Sequence, residues 1–483
     1  MGLLRKLTGQ TAIYGLSSIV GRLINWGLTP VYAHYFDRAE YGVQSDLYAF
    51  SFYPLILLTF GLETAFFHYT AKNSDADSVY HTAFSTILLF CAAFFVLFGV
   101  PYPWWAEALG YGQRPALVLA VAAIIVLDAA AALPLARLRY REKAARFAAI
   151  SGVNIVLTLA LSLAFVVGMR MGVEGVFLAN VLASGVRLGM ALEGNSPDFR
   201  QIRPETRKRL LQYGFYIMAA GLLGAWNEML GRNLIPRLWP DGKVYDGEPL
   251  SGLEMNGVYS ANYKLAMFVA LVTQAFRYAV EPYFFRSAGD AGAPRNFARI
   301  FHYYTLACLA ASLWVAVFAR HIVSFNFFGA ASFTLLPQKY WNGLSAVPAI
   351  LLANTLVGAY LNLAIWYKLT AQLRFGLFFA AAGAAVTLVG NAALIPEFGY
   401  RGSAWASVAC YALMCGLCYY YGQKFHPIPY NMKRLFFCFG VFVVFWRMGE
   451  AVGSPAAKFA VCALCLGLVY AWEKKRPPKF ERP

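Results

Sequence analysis

The residues at 257–285 read GVYSANYKLAMFVALVTQAFRYAVEPYFF, and they form the second half of the stretch that decides the fold, 213–285. This stretch is apolar enough for two membrane-spanning helices joined by a polar loop. It nevertheless contains five charged residues: Glu228, Arg232, Lys264, Arg277 and Glu281. Charges at membrane depth are costly and usually face a partner or a water-filled cavity. We therefore expect this stretch to line a transport path.

The composition of the whole chain agrees with a membrane location. Of the 483 residues, 59% are hydrophobic and only 13% are charged, whereas about 25% charged residues is usual in soluble domains. The apolar runs are continuous over about 20 residues, unlike the alternating strands of about 10 residues that build membrane β-barrels. The sequence thus predicts an all-α polytopic membrane protein.

About fourteen apolar runs are long enough to cross the hydrocarbon core. Their approximate limits are 11–34, 43–68, 80–101, 115–136, 147–169, 173–192, 210–235, 257–285, 299–320, 344–367, 375–395, 403–422, 435–449 and 457–472. We interpret 11–34 as a first span that is not removed as a signal peptide, because the run is long and lacks a small-residue cleavage site.

The net charge of +17 follows from basic residues in short loops rather than from a nucleic-acid-binding patch. With the N-terminus in the cytoplasm, roughly 26 of the 41 Lys and Arg residues fall on the cytoplasmic side and about 10 on the other. This asymmetry favours an even number of spans with both termini inside. It predicts a multi-pass membrane protein that does not bind nucleic acid.

An internal repeat divides the chain. Gly42-Val43-x-Ser45-x-x-Tyr48 returns as Gly257-Val258-x-Ser260-x-x-Tyr263, and Glu63-x-x-Phe66-Phe67 returns as Glu281-x-x-Phe284-Phe285. An even number of spans separates the copies, so we expect two parallel six-helix lobes. The predicted parts are a first lobe at 1–192, a basic linker at 193–209, a second lobe at 210–422, and two further helices with a basic tail at 423–483.

Two segments carry a resemblance to a known family. GLETAFFHY at 61–69 closes the second span, and NAALIPEFGYRGSAWA at 391–406 joins spans 11 and 12. With the order of the fourteen spans, these segments resemble the polysaccharide-exporter branch of the multidrug/oligosaccharidyl-lipid/polysaccharide (MOP, MATE-like) superfamily. The resemblance covers nearly the whole chain and implies a MATE-like fold.

The same resemblance implies a function. Members of this branch are similar to flippases that move an undecaprenyl-diphosphate sugar unit from the cytoplasmic to the outer leaflet. We therefore expect a flippase of the bacterial inner membrane that works by alternating access, for O-antigen, lipopolysaccharide or other polysaccharide biosynthesis. Drug exporters of the superfamily commonly have an acidic residue in span 1, where this chain has Arg22 and Asn25. The lipid II flippase usually has an Arg-Asp pair there, whereas Leu23 follows Arg22.

The basic residues within the spans are our candidates for binding the diphosphate, because arginine and lysine form charge-assisted hydrogen bonds with phosphate. These candidates are Arg22, Arg232, Lys264 and Arg277, facing a cavity shared by the two lobes. A structural alternative for Arg22 is pairing with Asp46 or Glu63. Glu228 and Arg232 are four residues apart, as are Arg277 and Glu281, so each pair could also neutralise itself locally.

Four carboxylates are candidates for ion coupling or a charge relay: Asp128, Glu63, Glu228 and Glu281. Burial favours the protonated form of a carboxyl group, which suits uptake of H⁺; Na⁺ is the other candidate ion. A capping or inter-helix role stays open for Glu63 and Glu281. No metal-binding spacing occurs, and we interpret the Cys415/Cys418 and Cys462/Cys465 pairs as packing residues.

Three alternative functions remain. An ion-coupled multidrug exporter would need a carboxylate-dominated cavity, and a lipid II flippase would carry a different lipid-linked cargo. A membrane glycosyl polymerase or ligase would need a large catalytic outer loop, and the longest outer loop, 237–255, is short. We therefore expect a monomeric, non-enzymatic flippase without a cofactor. Its partners would be the lipid-linked oligosaccharide, membrane lipids and other polysaccharide-assembly proteins.

Overall fold

The computed structural model describes Leu23 and residues 26–70, 75–290, 292–326, 333–370 and 372–475, except for the side chains of Ala275, Tyr278, Ala279, Glu281 and Pro282. The described residues are almost entirely helical, and the protein is an all-α polytopic membrane protein. Its compact units are Met1–Met229 and Leu230–Pro483.

The helices of the first unit begin with a short segment. In order they are α1 (Thr29–Tyr35), α2 (Arg38–Thr59), α3 (Leu62–Thr70), α4 (Ala76–Phe94), α5 (Tyr102–Ala108), α6 (Pro115–Tyr140), α7 (Ala144–Ser162), α8 (Gly172–Leu192) and α9 (Pro204–Leu238). Short π-helical turns extend α4 over Phe95–Gly99 and α7 over Leu163–Gly168, and a 3₁₀ turn covers Phe199–Gln201. Within the unit, α6 packs against α2, α4 and α8.

The second unit begins inside α9 and contains the remaining elements. A hairpin of β1 (Val244–Tyr245) and β2 (Glu248–Pro249) precedes the helices α10 (Gly252–Ser287), α11 (Ala293–Val323), α12 (Val347–Leu363), α13 (Ile365–Leu369), α14 (Arg374–Phe425), α15 (Met432–Ala451) and α16 (Pro455–Lys475). A 3₁₀ segment, Gln338–Ala346, leads into α12. Here α12 packs against α10, α11 and α14, while α15 and α16 pack against α11.

The helix limits agree broadly with the predicted spans. Within the described ranges, nine helices are long and apolar enough to cross a membrane. The charged helices α9 and α10 and the helix α15 are not among those nine, although they occupy the positions of predicted spans 7, 8 and 13. Of the first predicted span, 11–34, only Leu23 and 26–34 are described.

The second predicted span, 43–68, is interrupted, which the sequence analysis did not predict. Phe60 and Gly61 both adopt positive φ values, 47° and 65°, and they separate α2 from α3. A Cβ at position 61 would lie 2.8 Å from the Gly214 carbonyl oxygen and from the Ile217 Cβ of α9. Only glycine permits both the backbone conformation and this close approach.

A break also occurs in α14, where we expected a loop between spans 11 and 12. The helical run has 52 residues, so as a straight helix it would be about 78 Å long, more than twice the hydrocarbon thickness. Gly399, with φ 51° and ψ −133°, is the non-helical residue inside it. Gly399 therefore divides α14 into two spans without an intervening loop.

The hairpin satisfies the backbone groups that this break releases. The Tyr245 hydroxyl donates a hydrogen bond to the Phe398 carbonyl (2.9 Å), and Lys243 Nζ donates to the Pro396 carbonyl (2.6 Å). Burial raises the pKa of Tyr245 to about 12, so its hydroxyl keeps the proton that it donates. Arg401 holds the hairpin from the other side through Asp246, at 2.8 and 3.1 Å. Because unpaired carbonyls are costly near the membrane, these contacts stabilise the break.

The predicted linker, 193–209, lies against the start of α4 in the first unit. The Tyr80 hydroxyl donates to the Asn195 carbonyl at 2.5 Å, and the backbone N–H of Asp198 donates to His81 Nδ1 at 2.9 Å. Hydrogen bonds from the backbone of Arg200 and the side chain of Gln201 lower the pKa of Asp198, so its carboxylate is ionised at neutral pH.

The two C-terminal helices are joined to α11 by a buried ionic cluster. Glu473 Oε1 accepts hydrogen bonds from Arg434 Nε at 2.8 Å and from His302 Nε2 at 3.2 Å. The side chains of His302, Arg434 and Glu473 are only 1%, 10% and 9% exposed. Next to the cluster, Cys462 and Cys465 are fully buried in an apolar core, as expected for packing residues.

We predict that Glu473→Gln lowers the free energy of unfolding by about 3 kcal/mol, because removing one partner of a buried ion pair leaves the other charge uncompensated. The measurement is denaturant unfolding of the detergent-solubilised protein. Glu450→Gln is the matched control, because the Arg447–Glu450 pair at 3.2 Å is exposed and such pairs contribute at most about 1 kcal/mol. Equal losses in the two variants would contradict the prediction.

Candidate functional site

The candidate site in the second unit is built on α10. Its residue Tyr263 contacts Arg232 of α9, whose guanidinium carbon lies 4.3 Å from the ring centroid. Lys264 follows Tyr263, is half-buried, and lies close enough to Arg232 for the two positive charges to interact. Among the described residues, no carboxylate pairs with Lys264. The structure thus places Lys264 within electrostatic range of Arg232, which lies over the Tyr263 ring.

Arg277 lies in a separate pocket of the same unit. The pocket is formed by α10, α11, α12 and α13, and it contains Arg277, Lys368, Thr273 and Asn362 beside apolar side chains. Its volume is about 20 Å³, which is room for about one water molecule. In this conformation the pocket cannot contain a diphosphate, so access to Arg277 from inside it would require the surrounding helices to separate.

The spacing along α10 separates the predicted phosphate-binding residues into two groups. Lys264 and Arg277 are thirteen residues apart on one helix, a rise of about 20 Å. One phosphate group cannot contact both side chains at that separation. Arg232 and Lys264 therefore form one cationic group, and Arg277 and Lys368 form another.

The acidic candidates of the stretch 213–285 are Glu228 and Glu281. Within the described residues, Glu228 forms no ion pair with Arg232 despite the i, i+4 spacing, and its side chain is exposed. Local neutralisation of Arg232 by Glu228 is therefore not observed. The side chain of Glu281 and the whole of Arg22 lie outside the described residues.

Asp128 lies at the centre of a polar cluster in the first unit. Its Oδ1 accepts a hydrogen bond from the Ser184 hydroxyl at 2.9 Å and lies 3.3 Å from Arg187 Nη1. One turn away on α8, Asn180 donates to the Tyr48 hydroxyl at 2.7 Å. The sequence indicated no partner for Asp128. Because Arg187 contacts it, a coupling ion at Asp128 would have to compete with a guanidinium group.

Glu63 is also paired. Its Oε1 lies 2.6 Å from Arg139 Nη2, so the pair joins α3 to the last turn of α6. This contact corresponds to the inter-helix role that the sequence left open for Glu63. Asp46, the other carboxylate considered for Arg22, is 1% exposed and accepts a hydrogen bond from the Tyr111 hydroxyl at 2.7 Å.

Two further residues of these clusters were missed by the sequence analysis. Lys368 lies just after the predicted span 344–367, and in the structure it lines the pocket of Arg277. Arg187 lies within the predicted span 173–192, and in the structure it contacts Asp128. The four-residue spacing of Ser184 from Asn180 was a usable signal, because it puts two hydrogen-bonding side chains on one helix face.

The fold is similar to that of several solved transporters. The lipid II flippase MurJ in its inward closed conformation matches with a TM-score of 0.73 at 11% identity, covering 95% of this chain and 98% of that chain. An inward-facing multidrug resistance MATE family transporter of the MOP superfamily matches with a TM-score of 0.64 at 12% identity, covering 84% and 94%. These matches show the fold of the MOP superfamily.

A third structure is a MOP superfamily transporter from Pyrococcus furiosus, described as having a binding pocket of reverse polarity. It matches with a TM-score of 0.56 at 14% identity, covering 86% of this chain and 95% of that chain. A comparison with curated proteins finds no match.

Membership at the family level rests on the sequence. The family model described as polysaccharide biosynthesis protein matches residues 7–288, more than half of the chain. The chain belongs to this polysaccharide biosynthesis family, which confirms the resemblance to the polysaccharide-exporter branch and the predicted MOP-like fold.

We predict that Asp128 and Arg187 stabilise each other by about 1 kcal/mol, since the pair is only partly exposed, 27% and 29%, and paired charges in contact couple energetically. The measurement is a double-mutant cycle of Asp128→Asn and Arg187→Met, read as the free energy of unfolding in detergent. Asn can still accept the Ser184 hydrogen bond, so the cycle reports the charge. Additive single losses would refute the coupling.

Proposed function

We propose that the protein is a flippase for a lipid-linked oligosaccharide. In this proposal an undecaprenyl-diphosphate sugar unit passes from the cytoplasmic to the outer leaflet of a bacterial inner membrane by alternating access. Family membership and the MOP fold support a transporter connected with polysaccharide biosynthesis. The observation that carries the choice of an anionic cargo is Lys264.

Lys264 lies twelve residues from the first residue of α10, which is about 18 Å along the helix axis. A cation at that depth, next to the positive charge of Arg232 and without a carboxylate partner among the described residues, is costly. An anionic ligand offsets that cost by charge-assisted hydrogen bonds. A cationic drug would increase the repulsion instead, which disfavours the multidrug-exporter alternative.

The separation of the two cationic groups suggests how the head group moves. A diphosphate that contacts Lys264 and Arg232 cannot reach Arg277, about 20 Å away along α10. We propose that the diphosphate contacts Arg277 and Lys368 at one stage of transport and Lys264 and Arg232 at another. Arg277 is exposed, whereas its pocket has room for about one water and would have to open to admit the phosphates.

For the coupling ion, H⁺ or Na⁺, Glu228 is the strongest described candidate. Asp128 and Glu63 each contact an arginine, so an ion would have to displace a strong partner. Glu228 is exposed and has no ion pair among the described residues. A coupling ion at Glu228 would therefore not have to displace an arginine.

The test is translocation of a fluorescent undecaprenyl-diphosphate oligosaccharide in vesicles that contain the purified protein. We predict that Lys264→Ala and Arg277→Ala each reduce the rate roughly tenfold or more, because each variant removes a charge-assisted hydrogen bond. Lys264→Arg should restore most of the rate, since it keeps the charge. Arg295→Ala is the matched control, because Arg295 is exposed at the start of α11.

Two results would refute the proposal. One is a wild-type rate in both Lys264→Ala and Arg277→Ala. The other is transport of a cationic dye by the wild-type protein in the absence of any oligosaccharide transport, which would favour the drug exporter.

A further inference from the structure

Two neighbouring cavities on the second unit share lining residues, and neither is lined by Lys264 or Arg277. One has a volume of about 460 Å³ and the other about 700 Å³, and both are within the range of small-ligand sites. Ala316 of α11 and Pro348 of α12 line both cavities. The two cavities are therefore adjacent along α11, and we call them together the α11 groove.

One end of the α11 groove, the cavity of about 460 Å³, is mostly apolar. It lies between α11, α12, α14 and α15 and is lined by Leu309, Leu313, Leu352, Trp405, Phe439 and Val443. Leu309 and Arg320 are eleven residues apart on α11, so the groove extends about 16 Å along this helix. An apolar channel of this length suits a hydrocarbon chain better than a sugar or an ion.

The other end of the groove is polar and positively charged. It is lined by Arg320 in the last turn of α11, by Lys458 in the first turn of α16, and by Gln338, Trp341 and Asn342 of the 3₁₀ segment. Lys458 is 9% exposed, and its Nζ donates to the Val317 carbonyl at 3.2 Å, which leaves two further N–H groups. Its ammonium group is therefore held at the groove wall.

The charge balance at this end favours an anion. The guanidinium carbon of Arg320 lies 5.5 Å from the centroid of a Trp341 ring, and within the described residues Arg320 has no carboxylate partner. The acidic lining residue, Glu450, is paired with Arg447 at 3.2 Å. The charges of Arg320 and Lys458 thus remain available.

We propose that the α11 groove is a second binding site for the lipid-linked saccharide, with its phosphate-binding end at the C-terminus of α11. Arg320 and Lys458 would bind the phosphates, Trp341, Gln338 and Asn342 the first sugar, and the apolar part the start of the lipid chain. This inference rests on the proposed function. A phospholipid phosphate would need the two cations but not an indole ring beside two amide side chains, so the lining favours a saccharide.

The experiment measures binding by native mass spectrometry of the full-length protein in detergent, with three probes. These are undecaprenyl-diphosphate disaccharide, phosphatidylglycerol and phosphatidylethanolamine. The protein has Lys264→Ala and Arg277→Ala as a common background, which removes the site of the proposed transport path. We expect the disaccharide lipid to bind this background, and Arg320→Ala/Lys458→Met to weaken that binding at least tenfold.

The apolar part is tested separately with a matched pair of neighbouring substitutions. Val443 is 36% exposed and lines the groove, whereas Val444 is 56% exposed and does not. Val443→Trp should fill the groove and weaken binding of the disaccharide lipid at least fivefold. Val444→Trp should leave binding unchanged.

The control for the charge variant Arg320→Ala/Lys458→Met is Lys424→Ala, which removes one positive charge at an exposed lysine in the last turn of α14.

Three results would overturn the inference. They are unchanged binding in Arg320→Ala/Lys458→Met with native thermal stability, equal loss in Val443→Trp and Val444→Trp, and binding of phosphatidylglycerol as tight as that of the disaccharide lipid. If the wild-type protein does not translocate the oligosaccharide lipid in vesicles but binds it in the groove, only the proposed function is refuted, because native mass spectrometry detects binding without transport. Conversely, normal translocation with no groove binding would refute only the groove.

Discussion

The cost of placing a charge inside a membrane-spanning helix is the constraint on which this structure depends. In the first unit, three carboxylates of the spans meet this cost by contacts to donors: Asp128 with Arg187, Glu63 with Arg139, and Asp46 with the Tyr111 hydroxyl. In α10 the same cost is met differently. Tyr263 covers Arg232, and Lys264 keeps a charge for which the described residues offer no acid. A helix can retain such a charge when an anionic ligand offsets it during function.

Corresponding positions of the internal repeat make different contacts in the two units. Counted from Gly42 and Gly257, Tyr48 corresponds to Tyr263, but their contacts are unlike. Tyr48 stacks on Phe177 at 4.9 Å and accepts a hydrogen bond from Asn180, whereas Tyr263 lies over Arg232. The next position is Ala49 in the first copy, 1% exposed, and Lys264 in the second. The two copies therefore share the residues of the motif, whereas the position that follows its tyrosine carries a charge only in the second copy.

The sequence predicted the fold class and most helices because apolar runs and repeated motifs are local patterns. It could not predict the ion pairs, because their partners are far apart along the chain. Asp128 and Arg187 are 59 residues apart, and His302 and Glu473 are 171 apart. Their contacts follow from helix packing, which hydropathy does not encode. The break at Gly61 was missed for another reason: a glycine within an apolar run does not reveal its φ value. The boundary at Gly399 was predicted, but as a loop rather than as a kink within one helical run.

The contacts around Gly399 have a consequence for the assembly of the protein during synthesis. The hairpin at 243–249 is made about 150 residues before the segment 396–401, and it supplies the donors for the carbonyls of Pro396 and Phe398. Because synthesis runs from the N-terminus, these donors exist before the carbonyls that they satisfy. The break in α14 therefore gains its hydrogen bonds only after the segment 396–401 has been made.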